Sequence, residues 1–394
     1  MKTGRKAKLF VWILMLLAVQ IMAQQIDSAL YVEKFIWDTT KTILTMDFSQ
    51  IDRPMTLEEA NPVFHFPPVR QDTTGTCWSF SGTSFLESEI YRIHGKKIKL
   101  SEMYTVYWEY VEKVRRFVRE KGNSWVDEGS EEDAVILRMK QYGAVRDIDY
   151  IGLLPGQTKH NHEPLMDEIK SYLEYVKENS LWDEEIVLTH VQMILDKYMD
   201  HPPDMIQRKG NWITPRKFLD DIVRLPLDDY VSFMSFTSIP FYTQGEYDVP
   251  DNWWHCDEYY NVPLNEWAGA IKQAIMNGYS VGIGGDVSEP GKGRELDIAI
   301  VPSFDIPSEA INQSAREYRF YNESSTDDHG IHLVGYVRKG DRDWFLVKDS
   351  GSSAQDGQLK GYYFFRDDWI RLKMLTFIVH KDAVKDLLEK CHVQ

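Results

Sequence analysis

Apolar positions in the first half of the chain recur at helical spacing. In "CWSFSGTSFLESEIYRIHG", Leu86, Ile90 and Ile93 return every three to four residues and Gly95 supplies a stop, which predicts a helix opening at Cys77. "LSEMYTVYWEYVEKVRRFVRE" predicts a second helix: Met103, Val106, Tyr107, Tyr110 and Val114 share one face, and Ser101 stands at the N-cap. "SEEDAVILRMKQYG" reads as a third, capped by Ser130 and ended by Gly143. Residues 160–225 are polar but still helix-patterned. Leu165, Ile169, Tyr172 and Val176 line one face; Trp182, Ile186, Val187, Ile194 and Tyr198 suggest another helix, stopped by Pro202 and Pro203; "TPRKFLDDIV" opens a short one. This stretch, about 155–230, reads as a helical insertion in a larger core. The pattern then changes. "PLNEWAGAIKQAIMNGYSVGIGGDV" predicts helix, turn and buried strand, and "IHLVGYV", "WFLVKDS", "GYYFF" and "MLTFIVH" predict strands of an antiparallel sheet or small barrel. Helices followed by strands make an α+β class. Residues 24–70 read as an extended, proline-punctuated lead-in.

The extreme N-terminus stands outside this fold. Lys2, Arg5, Lys6 and Lys8 precede the apolar run "LFVWILMLLAV", and Ala23 is a small residue at a cleavage point. Residues 1–23 therefore read as a secretory signal peptide, with the remainder, 24–394, exported to a bacterial periplasm or secreted. No later stretch is apolar enough to span a membrane. The formal charge of −16 repels nucleic acid and anionic lipid. Export permits disulfides, and the sequence leaves open a Cys256–Cys391 bridge; with three cysteines, one stays unpaired.

That odd cysteine is placed for chemistry. A thiol at a helix N-terminus is favoured as thiolate by the helix dipole and the unpaired N–H groups, and Cys77 follows the flexible Gly75. The competing reading is a small core residue. A nucleophilic thiol needs an imidazole, a group to orient that ring, and a donor for the oxyanion. "DDHGIHLVGYV" offers His329 and His332, three apart on a strand and so on opposite faces. Asp349 ends the strand of "WFLVKDSGSS", and Gln71 lies six residues before Cys77 with an amide to offer. "KHNHE" (His160, His162, Glu163) reads as solvated rather than as a metal site, "WWHC" as packing, "GDVSEPGKG" as a turn or cleft loop, and Asp327 and Asp328 as exposed loop acids. No metal or cofactor is implied.

These segments resemble a known family. "QDTTGTCWSFS" is similar to the papain-family segment in which a glutamine precedes Cys-Trp by six residues. "DHGIHLVGY" resembles its histidine segment, and Gly335 keeps the six-residue spacing from His329 rather than from His332. "WFLVKDSGSS" with "KGYYFF" resembles the segment of the orienting asparagine. "LSEMYTVYWEYVEK" and "AIMNGYSVGIGGDV" place the likeness within the bleomycin hydrolase and aminopeptidase C branch, over about residues 65–385. The resemblance implies a papain-like fold and an aminopeptidase-like cysteine peptidase acting on peptides, without cofactor. In it Cys77 is the nucleophile, His329 the acid–base, Asp349 the orienting group and Gln71 the oxyanion donor. The chain departs from the pattern at three places. Asp349 replaces the asparagine, Gly351 replaces the tryptophan that shields it (with Tyr363 as a substitute cover), and the C-terminal "KDAVKDLLEKCHVQ" does not resemble the branch's cleft-entering terminus. A homo-oligomer is left open. The alternatives are a papain-like protein that binds peptides or a partner with little or no turnover, and another thiol acyltransferase or amidase.

Overall fold

A computed structural model describes residues 29–36, 39–288 and 290–392; the signal-peptide expectation for residues 1–23 lies outside them. Helix α1 (Cys77–His94) is the axis of the first half. Every residue from Trp78 to Ile90 is buried, which a helix achieves only when packed on all sides. Small residues make this possible: a Cβ on Gly82 would come within 2.8 Å of Val135 Cγ2. Gly95 ends α1 at φ 64°, a left-handed cap. Helix α2 (Glu102–Arg119) starts as expected, the Ser101 hydroxyl accepting from Tyr104 N–H at 3.0 Å. Helix α3 (Asp133–Tyr142) stops at Gly143.

Ser130 does not cap α3. Its hydroxyl donates to Glu109 Oε1 at 2.6 Å, and the helix begins three residues later. The buried Glu109 carboxylate, which also accepts from Trp253 Nε1 at 2.6 Å, is the stronger acceptor. Helices α4 (Glu163–Glu178) and α5 (Glu184–Met199) form from the 160–225 stretch. Leu165, Ile169 and Val176 are buried as expected, in one apolar core with Trp78, Phe85 and the α2 face. On α5 the inward face is Val187, Val191, Ile194 and Leu195, whereas Ile186 is 65 % exposed and Trp182 precedes the helix. Asp183 is the cap, accepting from Ile186 N–H at 3.1 Å, and this sets Ile186 in the first turn, facing out.

The second half is a sheet. Its centre runs β3 (Tyr230–Met234), β8 (Met374–His380), β4 (Val281–Gly285), β5 (His329–Lys339), β6 (Arg342–Lys348), β7 (Tyr362–Arg366), every pair antiparallel. Strands of two or three residues extend both ends, and among the described residues the order is open, so the architecture is a sheet rather than a barrel. Helix α6 (Leu264–Met276) buries Trp267 and Ile271 in the core with Phe345 and Phe377. The C-terminal helix α7 (Lys385–His392) is tied to α6 by Lys390–Glu266 at 2.7 Å. In the lead-in, read as extended, β1 (Ala29–Ile36) and β2 (Thr39–Met46) pair antiparallel, a pairing the sequence reading did not specify. No helix of the described residues is long and apolar enough to cross a membrane. Cys77, Cys256 and Cys391 are all free thiols, so the Cys256–Cys391 bridge is not made.

The two halves meet along α1 and β5. His332 is fully buried, its Nδ1 2.9 Å from the Ser84 hydroxyl of α1, and Lys348 Nζ donates to the same hydroxyl at 2.7 Å. Gly330 touches α1 too: a Cβ there would lie 3.2 Å from Trp78 Cα. Alternation then turns His329 away from this packing face, as the spacing predicts.

Candidate active site

Cys77 is the first residue of α1 and half-buried. The turn before it is held from both sides. Glu128 Oε2 accepts Gly75 N–H at 2.6 Å, and the Glu128 carbonyl accepts Trp78 Nε1–H at 3.1 Å. The loop carrying Glu128 is in turn fixed by the buried Lys113, whose ammonium donates to the Asp127 and Gly129 carbonyls.

His329 opens β5, and Asp349 directly follows β6, so adjacent strands deliver both to one end of the sheet. The imidazole Nε2 lies 2.7 Å from Asp349 Oδ1, and the Cys77 side chain hydrogen-bonds the same ring. Burial disfavours the imidazolium, but the Asp349 charge and hydrogen bond, with those of Cys77, outweigh it and hold the His329 pKa well above the ordinary value. Burial likewise opposes the Asp349 carboxylate; the His329 charge and hydrogen bond, then Lys292 and the Gly351 N–H, keep it well below the usual range.

Gly351 covers the orienting bond with its backbone. Its N–H donates to Asp349 Oδ1 at 2.7 Å, and a Cβ there would sit 3.5 Å from His329 Nε2. Asp349 is only 1 % exposed. The substitute cover expected of Tyr363 takes another form: its hydroxyl donates to the Ser353 carbonyl at 2.8 Å, and its ring carries the Lys292 ammonium at 4.7 Å from the centroid. Gln71 is buried and bound at both ends. Its Oε1 accepts from Ser350 Oγ at 2.8 Å, and its Nε2 donates to Thr74 O at 2.6 Å, which leaves one amide N–H for another acceptor.

Cys77, His329 and Asp349 thus share one site, and Gln71 is anchored beside it by Ser350, the residue after Asp349. His332 is elsewhere; burial and the Lys348 charge hold its pKa well below the ordinary value. His162 is not solvated as its polar neighbourhood suggested. It is 2 % exposed, its Nδ1 3.1 Å from Tyr110 Oη, and burial with the His160 charge pushes its pKa down to about 3. Asp327 is not a plain loop acid either, since burial pushes its carboxyl up to about 7. Sequence reasoning missed Glu128, Ser350, Lys113 and Lys292. Only Ser350 carried a local signal, its place beside Asp349.

A thiol at the N-terminus of α1 facing a histidine–carboxylate pair at the sheet's end is the arrangement of the papain-like class of cysteine peptidases. Residues 195–393 match the model of the Peptidase C1-like family, half of the chain, and the chain belongs to that family. Aminopeptidase C of Listeria innocua serovar 6a is 23 % identical over 390 residues, covering 86 % of this chain and 87 % of the relative. Aminopeptidase C of Lactococcus lactis subsp. cremoris is 20 % identical over 358 residues, covering 81 % and 82 %. Among solved structures, PepW from Lactobacillus rhamnosis HN001 superposes with a TM-score of 0.65 at 17 % identity over 86 % of this chain and 85 % of that one, a likeness of fold.

Proposed function

We propose that this chain is an exported cysteine aminopeptidase working through Cys77, His329 and Asp349. The observation that carries the reading is the His329 imidazole, 2.7 Å from Asp349 Oδ1 on one nitrogen and hydrogen-bonded to Cys77 at the N-terminus of α1. A carboxylate there stabilises the imidazolium, and imidazolium with helix dipole favours the thiolate. The thiolate adds to the peptide carbonyl, with the Cys77 N–H and the remaining Gln71 amide N–H donating to the oxyanion. The C–N bond breaks as His329 gives its proton to the leaving amine. His329 then takes a proton from water, the hydroxide attacks the thioester, and the C–S bond breaks to release the carboxylic acid and restore the thiolate.

The aminopeptidase specificity is supported by the names of the relatives, and export by the leader pattern of residues 1–23. The test is turnover of aminoacyl-amidomethylcoumarins with free and acetylated amino groups, by the chain and by Cys77→Ala. Cleavage of the free form that vanishes in Cys77→Ala is expected. No thiol-dependent cleavage of either form would refute the peptidase; preference for the acetylated form would refute the exopeptidase.

A further inference from the structure

The end of α1 away from Cys77 carries a feature that the proposed reaction does not use. The helix has 18 residues, and a rise of about 1.5 Å per residue sets its C-terminus about 26 Å from the thiol. A groove of about 690 Å³ opens there, between the chain leaving α1 and a hairpin of strands Ile206–Arg208 and Asn211–Ile213. Lys209 and Gly210 turn the hairpin, both left-handed at φ 47° and 84°. Lys96, Lys97, Arg208 and Lys209 stand along the groove, and Ile98, Ile213 and Ile222 give it an apolar wall.

The charge here runs against the rest of the surface. Acidic side chains outnumber basic ones by 61 to 45 in this chain, and cations elsewhere on the surface meet a carboxylate: Lys170 with Asp127 at 2.8 Å, Lys197 with Glu168 at 2.6 Å, Lys390 with Glu266 at 2.7 Å. Lys96, Lys97, Arg208 and Lys209 make no ion pair among the described residues. Lys96 Nζ donates to the Ile222 carbonyl at 2.9 Å, and the Lys97 ammonium stands over the Phe64 ring, 5.1 Å from its centroid. Arg208 lies over the Phe218 ring at 5.8 Å, and its buried Nε has no hydrogen-bond partner. The one carboxylate among the lining residues, Asp221, is held by Lys217 at 2.6 Å. Apolar walls focus the field of these cations into the groove, so an anion is drawn to it although the whole chain is acidic. The shape selects the kind of anion. A lone phosphate has no use for the isoleucine wall, a flat bilayer surface does not enter a groove, and nucleic acid is repelled by the formal charge of −16. An extended polypeptide fits: its acidic side chains reach the cations while apolar ones between them pack on the isoleucines.

We infer that this groove is a docking site for an acidic, partly apolar segment of another polypeptide, remote from Cys77. The inference goes beyond the peptidase reading and is tested by binding alone, on the full chain carrying Cys77→Ala so that no probe is consumed. Calorimetry compares two acetylated and amidated octapeptides, one alternating glutamate with leucine, the other glutamine with leucine. The glutamate peptide is expected to bind about tenfold or more tighter, with the advantage shrinking as salt rises from about 50 to about 200 mM. Two double variants on separate elements guard against one that misfolds: Lys96→Gln with Lys97→Gln after α1, and Arg208→Gln with Lys209→Gln on the hairpin. Each is expected to weaken the glutamate peptide about fivefold or more, while Lys197→Gln on α5 leaves it unchanged. Equal binding of the two peptides, or binding that survives both double variants, overturns the docking site. Two other results would overturn its occupant. Sedimentation with phosphatidylglycerol vesicles that both double variants abolish, without binding of the glutamate peptide, would give the groove to a membrane. Self-association of the chain that both double variants abolish would give it to a second copy.

Discussion

The His329 imidazole sits between a carboxylate and a thiol, and its protonation depends on which of them remains. In Asp349→Asn the hydrogen bond survives but the charge is lost, so burial is less opposed and the His329 pKa falls. In the proposed mechanism the imidazolium is the active form, so the alkaline limb of kcat/KM moves to lower pH, by about one unit or more. A pH–rate profile checks this, and an unmoved limb would separate Asp349 from His329 function. The residues that the structure brings together, Cys77, His329, Asp349 and Gln71, were picked out by short patterns, a turn before a helix and strand starts and ends, and by the family resemblance of their segments, which gave Gln71 its offset and chose His329 over His332. Their supports were not. Glu128 reaches Gly75 and Trp78 across some fifty residues of chain, and Lys113 holds the loop that carries Glu128 from within an ordinary amphipathic helix. Nothing local to either residue announces such a partner.

At the scale of elements, the caps that were read correctly are those whose side chain has no better offer. Ser101 caps α2, and Ser101→Ala costs about 1 kcal/mol, read from the urea midpoint. Ser130, of the same residue type before a similar helix, is drawn off by Glu109. Gly143 shows where backbone decides. Its φ is 81°, and a Cβ would come within 2.3 Å of the Pro215 carbonyl carbon. Gly143→Ala therefore pays for left-handed backbone and for prising α3 from the Pro215 turn, about 2 kcal/mol or more by the same measurement. An effect below about 0.5 kcal/mol would show that this junction yields freely.

For the whole molecule, the halves were legible as helical then stranded, but the strand order was not. β8 lies between β3 and β4, although it is last in the chain, and only burial of both its faces requires that. The packing also fixes how stability follows pH. Burial pushes Glu132 up to about 8 and Asp133 and Asp327 to about 7, and His329 is held above its ordinary value. Between pH 6.5 and 8 the folded chain therefore keeps protons that the unfolded chain has lost, and stability falls as pH rises, by on the order of a few kcal/mol. Denaturation at pH 6.5 and 8 checks the sign, and a more stable protein at pH 8 would contradict it. Glu132→Gln removes one of these groups, so it stabilises most at pH 8.

The central claim is that Cys77 is a thiol activated by His329. The direct measurement is labelling of the reduced protein by an epoxysuccinyl peptide, followed by intact mass and peptide mapping, alongside His329→Ala. One adduct, on Cys77, forming about a hundredfold or more slower without His329, is the predicted result. An unlabelled Cys77, or labelling at the same rate in His329→Ala, would contradict it.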